Sequence, residues 1–84
     1  MELEQPDFSI RGSMSIFLLC PRSHPAKSWA REHITDGLPP ATFIPVEHRY
    51  IGDICRGILR DGLTMELDGQ TYYENEDGEL VAMA

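Results

Sequence analysis

The most apolar stretch of the chain is Ile16-Phe17-Leu18-Leu19-Cys20, within a segment from Met14 to Cys20 bounded by Gly12 and Pro21. A run without polar alternation suits a strand buried on both faces, so it is expected in the middle of a sheet. The pattern then changes period. In "SHPAKSWAREHI", Ser23 or His24 can cap a helix with Pro25 in its first turn, and Ala26, Trp29, Ala30, His33 and Ile34 fall on one face. Gly37 can close that helix in the left-handed conformation.

A second strand is expected over 41–46, "ATFIPV", where Pro45 removes a ladder donor and argues for an edge or a bulge. Two strands joined by a helix suggest a parallel pair with a right-handed crossover. The cleanest helical stripe follows in "RYIGDICRGILRDG": Tyr50, Ile51, Ile54, Cys55, Ile58 and Leu59, with Arg49, Asp53, Arg56 and Arg60 outside and Gly62 as the stop.

The remainder alternates as strands do. "LTMEL" and "QTYYE" flank Asp68-Gly69, a dipeptide suited to a type I′ hairpin turn, and "NEDG" leads into "ELVAMA". Leu63, Met65 and Leu67 share one face, while Tyr72 and Tyr73 point to opposite faces, one inward and one displayed. The expected fold is therefore α+β or small α/β: a mixed sheet of four or five strands with two helices on one face, in the order β-α-β-α-β-β-β. The domain is expected over 14–84. Residues 1–13 read as an N-terminal extension, since "RGS" before Met14 matches a cloning scar as well as native sequence.

Composition narrows the class. With 84 residues, 42% hydrophobic and 25% charged, the chain suits one small folded domain. A core this small leaves a thin stability margin, which makes a homodimer or a larger homo-oligomer a live option. No apolar run approaches the ~20 residues of a membrane span, and three acids precede the first base, Arg11, unlike a secretory signal. Two cysteines 35 positions apart then point to reduced thiols and a cytoplasmic location.

Charge is unevenly distributed. Residues 1–60 hold seven acids and seven bases, whereas residues 61–84 hold seven acids and no base, so the net charge of −7 belongs to the terminal meander. Such a surface repels phosphate backbones, which argues against direct nucleic-acid binding there and favours a protein partner with a basic surface. Acids at turns also keep a small sheet soluble and discourage edge pairing, the plainer reading of the same residues.

Candidate chemistry is sparse. Cys20, where a strand gives way to a helix with Arg22 close by, occupies a position that could activate a thiolate. The segment "PPATFIPVEHRYIGD" resembles the part of glutaredoxins where a proline precedes an apolar strand and an Ile-Gly stretch opens the last helix. That resemblance implies a redox role with Cys20 as nucleophile, Pro40 as the cis-proline and Ile51-Gly52 in the glycine stretch. Ser23 stands at the second cysteine of the motif, and only 20 residues separate Cys20 from Pro40. Cys20, His24, His33, His48 and Cys55 do not have paired zinc-ligand spacing, no cofactor motif is present, and no hydrolase signature occurs. "DGQTYYENEDGELVAMA" is similar to the aromatic hairpin of choline-binding cell-wall repeats, here in one copy without tryptophan, which is shared hairpin chemistry.

The functional expectation is a non-enzymatic cytoplasmic interaction protein. Its binding residues are Tyr72, Tyr73, Glu74, Glu76, Asp77 and Glu79, engaging a basic surface on a larger protein. By size and charge the chain resembles the small accessory inhibitors of phages and mobile elements, anti-CRISPR proteins among them. The alternatives are a thiol enzyme using Cys20 and a structural homo-oligomer subunit.

Overall fold

A computed structural model describes residues 5–13, 15–35, 37 and 43–83. The chain forms β1 (Phe8–Ser13), β2 (Ile16–Pro21), α1 (His24–His33), β3 (Ile44–Glu47), α2 (His48–Arg60), β4 (Met65–Leu67), β5 (Gln70–Glu74) and β6 (Leu80–Ala82). All six strands make one sheet in the order β3-β2-β1-β4-β5-β6. The class is α+β with both helices on one face, as the pattern predicts, but with one strand more than expected.

That extra strand is the largest correction. Residues 8–13, assigned on sequence to an extension outside the domain, form an interior strand paired antiparallel with β2 and parallel with β4. Phe8 and Ile10 are two of its buried side chains, alternating with Ser9 and Arg11 on the other face. The domain boundary at residue 14 therefore does not hold.

Asp7, just ahead of β1, locks three elements together. Its carboxylate accepts from the Ser23 hydroxyl at 2.5 Å and from the Thr64 backbone N–H at 2.9 Å, and its own N–H donates to Thr64 Oγ1. Ser23 Oγ in turn accepts from the Ala26 N–H at 3.1 Å, capping α1. One carboxylate thus fixes the start of β1, the helix N-terminus and the entry to β4.

The expected parallel crossover is absent: β2 and β3 pair antiparallel, with Leu19 opposite Ile44 and Phe17 opposite Val46. β3 is an edge strand and the exposed Pro45 lies on it, consistent with its missing donor. Residues Ala41 and Thr42 of the predicted strand, like Met14, Pro39 and Pro40, lie outside the described residues.

The core lies between the helices and one sheet face: Phe8, Ile10, Leu19, Ile44, Val46 and Met65 from strands, Ala26, Ala30 and Ile58 from helices. Trp29 meets the Phe8 ring edge-on at 5.8 Å and donates to Asp61 Oδ2 at 2.6 Å. Gly57 of α2 lets the helices approach, since a Cβ there would lie 3.2 Å from the Trp29 ring.

Two stripe residues are not in the core. His33 is exposed, stacked on Trp29 at 4.4 Å and 3.9 Å from Asp61. Tyr50 is also exposed, with the Arg49 guanidinium 5.1 Å from its ring centre. Arg49 pairs with Glu47 and Arg56 with Asp53.

Candidate interaction face

The alternation that buries Phe8, Ile10, Leu19 and Met65 against the helices turns Ser9, Arg11, Leu18, Cys20 and Glu66 to the opposite face. Both helices lie on the core side, so this second face is helix-free. It also corrects the reading of β2. The apolar run expected to be buried on both faces is buried on one only: Leu19 is fully enclosed, whereas Ile16 is 39% exposed and Leu18 and Cys20 are half-buried.

The acidic meander occupies one half of this face and its margin. Asp68 and Gly69 both have positive φ, the geometry the type I′ turn requires, which sets Met65 opposite Tyr72 and Glu66 opposite Thr71. Tyr72 consequently lies on the core side, half-buried, and Tyr73 on the helix-free side, exposed, paired with Val81. The expectation of one inward and one displayed tyrosine holds.

The turn after β5 is ordered by one amide. Asn75 Oδ1 accepts from the N–H groups of Asp77 and Glu79, both at 2.9 Å, and the Asn75 backbone bonds Glu79 and Gly78. This Asx arrangement presents Glu76 and Asp77 at an exposed tip, with Glu79 exposed beside them and Glu74 half-buried on the core side of β5. The acids do not converge on one point. Glu66 accepts from the Ser9 hydroxyl at 3.1 Å. Among the described residues, no Lys, Arg or His nitrogen lies within 4.0 Å of Glu66, Asp68, Glu74, Glu76, Asp77 or Glu79.

A shallow hollow of about 530 Å³, which sequence reasoning missed, spans the middle of this face. Arg11 and Arg22, Leu18, Cys20 and Phe43 line it from one side and Glu66 and Asp68 from the other. Neither arginine has a carboxylate within 4.0 Å among the described residues, and Phe43 is 47% exposed. The only sequence signal was the alternation Phe8-Ser9-Ile10-Arg11, which puts the arginine opposite the core side.

Cys20 is free and faces this hollow. Its neighbours Leu19 and Pro21 turn the other way, toward the helices, so the thiol lies across the sheet from the α1 N-terminus, where Ser23 satisfies a first-turn donor. Cys55 is half-buried on α2; burial pushes its thiol pKa up, partly opposed by the positive charge of Arg56. Pro40 of the glutaredoxin resemblance lies outside the described residues, and Ile51-Gly52 lies inside α2 rather than opening it. Among the described residues no three His, Cys, Asp or Glu side chains gather as a metal site, and no helix is long and apolar enough to cross a membrane.

No family model, curated protein or solved structure matches the chain. Its own geometry offers an ordered acidic hairpin with a displayed tyrosine, next to a mixed polar and apolar hollow whose two arginines have no carboxylate within 4.0 Å among the described residues.

Proposed function

We propose that the protein is a non-enzymatic interaction module whose acidic β-meander docks on a basic surface of a larger protein. The observation that carries this reading is the hairpin's uncompensated charge. Glu74, Glu76, Asp77 and Glu79 follow the exposed Tyr73 on a turn held by Asn75, and no base occurs after Arg60. Unpaired carboxylates on a preordered turn attract a positively charged surface without first breaking internal ion pairs or ordering a loop. Tyr73 adds a rigid, amphipathic contact at the same site. A partner that normally binds nucleic acid fits this chemistry, because the hairpin would compete for its basic groove, the mode of action of a small inhibitor.

The test compares wild type with a variant carrying Glu74, Glu76, Asp77 and Glu79 all as Lys, matched for folding by circular dichroism. A partner isolated with wild type should be lost by the variant, and wild-type binding should weaken steeply as salt rises. Equal capture of that partner by both proteins refutes the reading.

A further inference from the structure

β2 is composed like a strand covered on both faces, yet among the described residues the helices cover only one. Ile16, Leu18 and Cys20 are left toward the helix-free side, where Phe43, Pro45 and Tyr73 are also exposed or accessible. Charge on this face is divided along the middle of the sheet. Arg11 and Arg22 belong to the β3-β2-β1 half, and Glu66 and Asp68 to the β4-β5-β6 side, in each case without an opposite charge within 4.0 Å among the described residues. The face thus has an apolar strip on β2, unpaired arginines in one half and unpaired acids in the other, while Glu47 at the β3 edge of the arginine half is already paired with Arg49.

A second copy has the matching surface. With six strands in the order β3-β2-β1-β4-β5-β6, a two-fold axis running along the strands between two stacked sheets places β1 over the partner's β4, β2 over its β5 and β3 over its β6. Arg11 then faces the acidic pair Glu66 and Asp68, and the apolar side of β2 faces the strand bearing Tyr73. The same operation repeats each contact in reverse, so both unpaired halves are satisfied at once.

We infer that the free protein self-associates through its helix-free sheet face, the arginine half of one copy seated on the acidic half of the other, as a face-to-face β-sandwich dimer. This inference builds on reading the acidic meander as a docking surface and supplies its resting occupant: a basic partner must displace the second copy to reach Tyr73. Six strands spaced ~4.8 Å apart make a face roughly 25 Å wide. Stacking two such faces buries on the order of 1,000 Å² in total, at the lower end for a specific interface.

Sedimentation equilibrium of the full chain from roughly 1 µM to 1 mM tests this, with no other partner required. The weight-average mass should approach twice the monomer mass, and higher salt should move the transition to higher concentration. Arg11→Glu and Glu66→Lys should each remain monomeric alone, since each opposes like charges at both repeats of the contact. An equimolar mixture should restore the dimer, because both contacts then join opposite charges. Arg11 is exposed, so its reversal leaves the fold intact, and its result stands even if Glu66→Lys, which loses the Ser9 hydrogen bond, folds poorly.

A wild type that stays monomeric to 1 mM, or a dimer indifferent to Arg11→Glu, overturns the inference. Failure here is distinguishable from failure of the proposed function. A monomer whose larger partner is still lost on reversing the hairpin charge sinks only the dimer, whereas a dimer whose partner ignores that reversal sinks only the docking reading.

Discussion

Strands β1 to β4 and the β5–β6 hairpin share one sheet but are held by different means. The first group supplies all six buried strand hydrophobes, from Phe8 and Leu19 at no exposure to Ile44 at 8%, and Asp7 ties it to α1 and the entry to β4. The hairpin has no buried residue, and Leu80 is 60% exposed. It depends on ladder bonds, on Asn75 and on Gln70, which donates to the Met83 carbonyl at 2.6 Å. Stability is thus concentrated away from the uncompensated charge. A region that contributes little to the core can carry a repulsive set of acids without endangering the fold, and its surface can change with few structural consequences.

Substitutions can break or sharpen this contrast. The largest effect is expected from Phe8→Ala, which removes a fully buried ring and its contact with Trp29: a loss of about 3–5 kcal/mol by urea unfolding, enough to unfold a domain this size. A small loss would mean that β1 is not part of the core. Asp7→Ala, which breaks the lock between β1, α1 and β4, should cost about 2–3 kcal/mol by the same measurement.

In the hairpin, Asn75→Ala should cost at most about 1 kcal/mol globally. Its effect should be local, with amide exchange accelerated at Asp77 and Glu79 and unchanged in β1 and β2. Exchange rising equally in both regions would erase the distinction between them.

The smallest effect concerns pH. Because the Cys55 thiol is raised in the folded protein, its neutral form contributes stability that is fully present below the ordinary thiol range. That contribution is lost as pH rises through the raised value. Cys55→Ala should flatten the alkaline fall of the melting temperature, and an unchanged slope would dissociate Cys55 from it.

Local features were legible in the sequence. The Ser23 cap, the α2 stripe at Ile51, Ile54, Ile58 and Leu59, the Asp68-Gly69 turn and the opposed tyrosines all depend on residues close in the chain. Non-local pairing was not legible. β1 alternates as a strand should, but Gly12-Ser13-Met14 suggested an added segment, and nothing nearby reveals its parallel partner, as Ser9 meets Glu66 57 positions away. The antiparallel β2–β3 pairing was missed for the same reason: a helix between strands biases toward a parallel crossover without dictating one. The acidic half of the candidate face was visible as a run of acids. The arginine half was not, because β1, β2 and the Phe43 loop meet there only after folding.

The parallel pairing of β1 with β4 also shapes how the chain matures. β1 is translated well before β4, the strand that completes its other edge, and Asp7 must wait for Thr64, 57 positions later. During synthesis the β1–β2 hairpin can form early, but its open edge remains available to other nascent chains until β4 emerges. The slow step in folding should be this long-range closure, and conditions that prolong it should favour aggregation over assembly.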